Sequence, residues 1–216
     1  MTFVDNAKYR AWAYDTSQRS RDPALVLTIA PRIKKLSPMA LKSTIYKAEL
    51  DIADMDRNYY ASHSLTLACH PSESVTRMML GLVAFALNAH ERLAFSRGLG
   101  ETEEPDLWRR DLTGELELWI ELGHPDERRL AKACSRCTSV LVYTYSASPE
   151  LWWDPIAGRL ARFRNLAVRS FDPAQIKTLE DFVTKSMSLL ASIQDGELWL
   201  RDGGGQEAHI TVAMIR

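Results

Sequence analysis

Apolar and polar residues alternate along two neighbouring stretches of the chain, residues 43–52 and 59–70. Alternation with a period of two is typical of β-strands that bury one face and expose the other. The residues between the stretches, 53–58, are polar and turn-prone. The pattern therefore predicts a β-hairpin over this part of the chain.

The spacing becomes helical over residues 72–98, where apolar residues recur every three or four positions along one broad face. Ser72 is suited to cap the amino end of a helix, and Gly98 is suited to stop it. We therefore predict one long amphipathic helix. This helix would carry Glu91 near its carboxyl end.

A short predicted strand at 106–108 and a turn at 111–114 precede a third alternating stretch, residues 115–122. Leucine and isoleucine side chains lie on one side of this stretch, while Glu117 and Glu121 lie on the other. The alternation predicts a strand with one buried face and one polar face that is available for function.

From residue 125 onward, the residue pattern predicts helices and strands in alternation. Five segments follow in the order helix, strand, helix, strand, helix: 125–134, 139–145, 149–163, 166–170 and 172–190. An Asp-Gly pair at 195–196 predicts a closing hairpin. This succession predicts an α/β fold in which a mixed β-sheet is flanked by helices, with hairpins added at both ends.

Residues 1–38 lack this patterning and carry seven Lys or Arg against three Asp. We interpret them as a poorly ordered leader, and an over-extended start site is the preferred explanation. The alternative is a basic tail that binds nucleic acid or a partner. Residues 39–216 are then predicted to form a single domain.

Composition narrows the classes of function. Twenty-seven Lys and Arg stand against twenty-eight Asp and Glu, so nucleic acid would have to be bound by a local patch rather than by a global positive field. No apolar run is long enough to span a bilayer, which predicts no membrane association. Three cysteines do not make a secreted disulfide framework, and we expect a cytoplasmic protein.

Two carboxylates suggest chemistry. Asp106 follows Pro105 at a turn, and Glu121 lies at the tip of the next predicted strand. Carboxylates so placed can converge on one Mg²⁺ or Mn²⁺ ion, as in a metal-dependent nuclease. Such a site also uses a lysine two residues after the second carboxylate, where this chain has Gly123. A turn residue and a solvated strand residue are the plainer alternatives.

Other candidate residues favour plain interpretations. We expect His90 and His124 to be a helix-end and a loop histidine rather than metal ligands, because no metal-binding spacing joins them. The Cys134-Cys137 pair has no second pair, which argues against metal or redox work. Trp119 is the one tryptophan that could stack on a nucleotide, since it lies on the predicted polar face.

Several longer motifs, in the same order, resemble the bacterial YaeQ family. The resemblance runs from Met39 to about residue 210 and covers MALKSTIYKAEL, FALNAHER, EPDLW, LWIELGHPDE, LVYTY and IQDGELWL. It implies a variation on the PD-(D/E)XK nuclease fold, in a family without a settled biochemical activity.

The resemblance also suggests roles for individual residues. Pro105 and Asp106 match the PD element, Glu121 matches the acidic position of the third strand, and Glu91 matches the carboxylate that many such nucleases carry on the preceding helix. Some members of that superfamily move the missing amine to the following helix. Lys132, Arg128 or Arg129 would supply it here.

Three hypotheses follow from the sequence. The leading one is metal-dependent phosphodiester hydrolysis on nucleic acid, with Glu91, Asp106 and Glu121 as metal ligands and Lys132 or Arg128 as the cation. The alternative is a non-catalytic protein that keeps the nuclease-like fold and binds nucleic acid or the transcription machinery. A third is hydrolysis of a different phosphate ester at the same acidic site.

Overall fold

The computed structural model describes residues 43–96 and 104–216, and the predicted leader, residues 1–38, lies outside them. The predicted hairpin is confirmed. Strands β1 (Thr44–Asp54) and β2 (Tyr59–Cys69) pair antiparallel along their full lengths. The turn between them is closed by Arg57, whose backbone N–H donates to the Asp54 carboxylate at 2.9 Å.

Three further strands complete the first sheet: β8 (Ser186–Gln194), β9 (Glu197–Asp202) and β10 (Glu207–Ile210). The strand order is β10-β9-β8-β1-β2, with β8 parallel to β1 and the other pairs antiparallel. The predicted Asp-Gly turn is confirmed, since Asp195 and Gly196 both have positive φ, 53° and 77°.

The helix predicted over residues 172–190 is wrong in its second half. Helix α4 covers only Pro173–Thr178, capped as expected by Asp172, and a 3-10 turn follows at Leu179–Phe182. From Ser186 onward the buried and exposed residues alternate with a period of two, and the chain enters β8. Pairing with β1 and β9 on both sides overrides the apolar content that had suggested a longer helix.

Helix α1 (Val75–Leu87) is shorter than predicted. It starts after Ser74, whose hydroxyl accepts from the Arg77 N–H at 3.1 Å, and it ends at Asn88. The Asn88 amide donates to Ala84 O at 2.8 Å, and the Arg57 guanidinium donates to the carbonyls of Ala86 and Ala89 at 3.3 and 3.0 Å. These side chains satisfy the terminal carbonyls and stop the helix. The proposed stop, Gly98, lies outside the described residues.

The second sheet has six strands: β3 (Leu93–Phe95), β4 (Leu107–Arg110), β5 (Leu116–Leu122), β6 (Ser139–Thr144), β7 (Leu166–Phe171) and β11 (Val212–Met214). Their order across the sheet is β11-β7-β6-β5-β4-β3. Strands β3, β4 and β5 are antiparallel neighbours, β5, β6 and β7 are parallel, and β11 closes the far edge antiparallel to β7. Helices α2 (Glu127–Cys134) and α3 (Glu150–Leu160) connect the parallel strands.

The described chain is therefore a mixed α/β protein with two mixed sheets, where the sequence predicted one. Helix α1 shares one apolar core with the inner faces of both sheets, and α2 and α3 cover the opposite face of the second sheet. Strand β5 is consequently buried from residue 118 to 122, so the predicted polar face is wrong. Among helices in the described ranges, none combines the length and apolar character needed to cross a membrane.

Candidate functional site: an arginine-bridged carboxylate pair

The pairing of β4 with β5 brings Asp106 and Glu121 together. Leu107 lies opposite Ile120 in this antiparallel pair. Asp106, which precedes Leu107, therefore lies opposite Glu121, which follows Ile120. The Asp106 N–H donates to Ile120 O at 3.0 Å, and its Oδ2 accepts from the Leu122 N–H at 2.7 Å. Two backbone bonds thus fix the carboxylate at the start of β4.

Arg77, in the first turn of α1, bridges Asp106 to a further carboxylate. Its Nη2 lies 2.5 Å from Asp106 Oδ1, and its Nη1 lies 2.6 Å from Glu73 Oε1. Burial alone would lower the pKa of Arg77, but the charges and hydrogen bonds of the two carboxylates outweigh it and raise that pKa. The guanidinium borders a cavity of about 100 Å³ and stays cationic at any physiological pH.

Glu121 has its own partners. Glu121 is buried, with only 5% of its surface exposed. Its Oε1 accepts hydrogen bonds from Trp119 Nε1 and from Arg129 Nε, each at 2.7 Å. Burial raises the pKa of Glu121, the Arg129 ion pair and the Trp119 bond oppose this, and the charge of Asp106 adds to the rise. The Arg129 ion pair and the Trp119 hydrogen bond both engage the same oxygen of the Glu121 carboxylate.

Helix α2 places several cations beside this pair. Asp126 caps the helix by accepting from the Arg129 N–H at 2.8 Å, and Arg129 Nη2 also donates to Glu104 O at 2.5 Å. Arg128 and Lys132, the residues predicted to supply an amine, are exposed on the same helix. A groove of about 360 Å³, called here the α2 groove, is lined by Trp119, Asp126, Arg128, Arg129, Lys132, Ala133 and Arg136.

Gly123, in the position where a nuclease lysine is expected, has a φ of +101°. L-residues adopt this conformation only at a cost of about 1 kcal/mol or more. The Gly123 N–H donates to Tyr143 O at 2.8 Å, which holds the backbone in place. A lysine side chain would therefore be strained at this position.

Glu91 does not join the other two carboxylates. It lies in the turn between α1 and β3 and not on the helix, because α1 ends at Leu87. Glu91 follows the last residue of α1, Leu87, by four positions and so lies beyond the carboxyl end of the helix. Burial and then the charge of Glu91 raise the pKa of Tyr59. Asp106 contacts the first turn of this helix, so the two carboxylates are separated by about one helix length, roughly 20 Å.

A divalent metal does not fit the observed donors well. Within residues 43–96 and 104–216, no group of three or more His, Cys, Asp or Glu side chains is arranged to hold an ion. Asp106 and Glu121 are neighbours, but guanidinium groups of Arg77 and Arg129 already contact them at hydrogen-bond distance. Mg²⁺ or Mn²⁺ would have to displace at least one of these arginines.

The remaining candidates have structural roles. His124 stacks on Trp152 with ring centroids 4.9 Å apart, and the His90 ring accepts from the Arg92 N–H at 3.1 Å. Cys134 and Cys137 are buried free thiols, and burial raises the pKa of Cys134 to about 11. A thiol that remains protonated at neutral pH is a poor metal ligand or redox group.

Trp119 cannot stack on a nucleotide as predicted. It is only 5% exposed, its indole N–H is bound to Glu121, and the Arg129 guanidinium lies 6.0 Å from its ring centroid. The packing of α2 on β5 covers the ring.

Sequence reasoning also missed Arg77 and Glu73, which complete the surroundings of Asp106. Their spacing of four is a usable signal for an ion pair. Arg77 is also a charged residue at the start of an otherwise apolar helix, although the ion pair to Asp106, 29 positions away, needs the tertiary structure.

The chain is thus a mixed α/β protein with two mixed sheets and a helix packed between them. Its candidate site is a pair of carboxylates, each of which is ion-paired to an arginine. The chain belongs to the YaeQ family, whose family model, described as YaeQ protein, matches residues 39–212. It is 47% identical over 165 residues to the uncharacterized protein YaeQ of Escherichia coli (strain K12), which covers 76% of this chain and 91% of that protein. The uncharacterized YaeQ of Salmonella typhi matches with the same identity and coverage.

Two crystal structures have a similar fold. The YaeQ protein from Xanthomonas axonopodis pv. citri is 46% identical, with a TM-score of 0.76, covering 81% of this chain and 98% of that one. The YaeQ protein from Pseudomonas syringae is 29% identical, with a TM-score of 0.76, covering 81% and 96%. The similarity therefore extends over 98% and 96% of the two crystallised chains and over 81% of this one.

Proposed function

We propose that the chain binds nucleic acid through the α2 groove, with a nuclease-like fold whose acidic pair is held by arginines instead of a metal. The observation that carries the proposal is the composition of the groove. Four of its seven lining residues are basic and one, Asp126, is acidic. A concentration of positive charge of this kind recognises phosphate groups in a chain of near-zero net charge.

The geometry of the basic residues suits a phosphate backbone. Arg128 and Lys132 are four positions apart on α2, and Arg136 is four positions further, in the turn that follows. Side chains at this spacing share one side of a helix. A row of cations along a groove contacts successive phosphates, which gives affinity with little dependence on base sequence.

The order of elements supports the nuclease-like part of the proposal. In chain order, α1, β3, β4, β5, α2 and β6 form a helix, three antiparallel strands, a helix and a parallel strand. This αβββαβ succession is the core expected of a PD-(D/E)XK nuclease-like fold. The acidic pair lies at the start of β4 and the end of β5. Arg77 and Arg129 supply positive charge beside it, where a nuclease would use a metal.

The test is fluorescence anisotropy with labelled single-stranded DNA, single-stranded RNA and duplex DNA of equal length. The variants are wild type, Arg128→Gln/Lys132→Gln and the control Lys177→Gln, an exposed residue of α4. We expect at least about tenfold weaker binding for the double variant and a salt slope lower by about 2, with the control unchanged. Equal binding by the double variant, or no binding by wild type at low salt, would contradict the proposal.

A second candidate function is Mg²⁺- or Mn²⁺-dependent phosphodiester hydrolysis. The observation in its favour is the direct apposition of Asp106 and Glu121 on paired strands. Its test is a cleavage assay on DNA and RNA with Mn²⁺, using wild type, Asp106→Asn and Glu121→Gln. Metal-dependent cleavage that both substitutions abolish would favour hydrolysis over binding alone, whereas cleavage that survives both would exclude this site.

A further inference from the structure

A larger cavity, independent of the α2 groove, lies where the first sheet, the second sheet and the carboxyl end of α1 meet. Its volume is about 510 Å³, within the range of about 300–1,000 Å³ that is usual for small-molecule sites. We call it the inter-sheet cavity. Its polar lining includes Asp54, Arg57, Asn88, Arg109, Ser139 and Arg169.

Two of its three arginines are paired to carboxylates. Arg57 Nε lies 2.6 Å from Asp54 Oδ2, and Arg109 Nε lies 2.8 Å from Glu117 Oε2. Asp56, the other acid of the lining, accepts from the backbone N–H groups of Asp195 and Gly196, each at 2.8 Å. Both acidic side chains that line the cavity, Asp54 and Asp56, therefore already have hydrogen-bond partners within the chain.

Arg169, on β7, is different. In the described part of the chain no carboxylate lies within ion-pair distance of it, and its Nε is buried without any hydrogen-bond partner. Its one side-chain bond is a long one, 3.5 Å from Nη1 to the hydroxyl of Tyr143. Arg169 as a whole is half-buried and its guanidinium borders the cavity, so an anion bound there would supply the charged partner that the described residues do not.

The other walls favour an organic molecule over a bare ion. Leu87, Leu118, Ile193, Val212 and Met214 contribute apolar surface to the same cavity. A guanidinium recognises the oxygens of a phosphate or carboxylate group with charge-assisted hydrogen bonds. An anionic head at Arg169 would leave the rest of the molecule against these side chains.

We propose that the inter-sheet cavity binds a small organic anion whose phosphate or carboxylate group contacts Arg169. Arg109 adds a second positive charge at the same cavity. This site is separate from the α2 groove, since the two share no lining residue.

The experiment is isothermal titration calorimetry with adenosine monophosphate, inorganic phosphate, citrate and uncharged adenosine. The proteins are the full-length wild type, Arg169→Gln, Arg169→Lys and the control Arg164→Gln, an exposed residue in the turn before β7. We expect at least one anionic probe to bind wild type and the control, while adenosine does not. Affinity should fall by about 10- to 100-fold in Arg169→Gln and by less in Arg169→Lys.

The probes separate the sources of the anion. Binding of adenosine monophosphate or phosphate but not citrate assigns a phosphate compound, and the reverse assigns a carboxylate. Retained binding in Arg128→Gln/Lys132→Gln locates the anion away from the α2 groove, so this result does not depend on nucleic-acid binding there. No binding by any anionic probe, or equal affinity in wild type and Arg169→Gln, would overturn the proposal.

Discussion

The two ends of helix α1 use the same kinds of side chain with different results. At the amino end, one guanidinium, that of Arg77, bridges the two carboxylates of Glu73 and Asp106. At the carboxyl end, Arg57 pairs with Asp54, while nearby Arg169 has no carboxylate partner among the described residues. Asp106 and Glu121, which the sequence marks as candidate metal ligands, each have an arginine partner, whereas Arg169, which the sequence did not mark, has no carboxylate partner in the described ranges.

Carboxylates alone do not identify a metal site. What matters is whether the fold supplies them with other partners. Asp106 and Glu121 each have an arginine at 2.5–2.7 Å, so a divalent cation competes with charges that are already in place. Arg169, in contrast, has no carboxylate partner among the described residues, and its Nε has no hydrogen-bond acceptor there.

The largest effect is expected from Arg77→Met. This change leaves Asp106 and Glu73 mostly buried without their cation, and we expect a loss of about 3 kcal/mol in the free energy of unfolding. Urea denaturation measures it. The control is Arg92→Met, which removes a longer and more exposed pair of 3.5 Å with Glu117 and should cost less than about 1 kcal/mol. Equal losses in the two variants would contradict this interpretation of the amino end.

A smaller effect is expected from Arg169→Met at the other end. The substitution removes a guanidinium that makes no ion pair and whose Nε has no acceptor. Without added ligand we expect the free energy of unfolding to change by less than about 1 kcal/mol, by the same urea measurement. A loss as large as that of Arg77→Met would show that the two ends of α1 do not differ as described.

The smallest effect is a pH trend at Glu121. Because burial raises its pKa in the folded chain, the folded state binds a proton more readily than the unfolded chain. Its contribution to stability is then fully present below the ordinary pKa of a glutamate and declines as the pH rises through the folded value. Glu121→Gln should therefore gain stability relative to wild type between about pH 4 and about pH 7.

Urea midpoints of both proteins at the two pH values measure this trend. Glu115→Gln, an exposed residue just before β5, is the matched control. A Glu121→Gln variant that loses stability relative to wild type as the pH rises would contradict the direction assigned to the Glu121 pKa.

The elements that the sequence predicts well are those set by local pattern. Alternation in residues 44–69 is enough to predict β1 and β2, and Asp195-Gly196 is enough to predict the turn before β9. The end of α1 is not local, because Arg57 caps it from about 30 positions away in the chain. A pattern confined to the helix could not indicate that Glu91 lies beyond it.

In the candidate site, too, some features follow from local sequence pattern and others depend on tertiary contacts. The apposition of Asp106 and Glu121 follows from antiparallel pairing of successive strands, which the alternation predicts. The burial of Trp119 depends on α2 packing over β5, and the Arg77 pair depends on α1 packing against the start of β4. These are tertiary contacts, so the partners of the carboxylates were outside the reach of sequence spacing.

Arg77 and Arg129 form direct ion pairs with Asp106 and Glu121, so we expect no divalent metal to bind tightly to this carboxylate pair. Isothermal titration calorimetry of Mn²⁺ into wild type and into Asp106→Asn/Glu121→Gln measures such binding. We expect the same weak or absent heat for both proteins. A stoichiometric Mn²⁺ site in wild type that the double substitution abolishes would contradict it and favour metal-dependent hydrolysis.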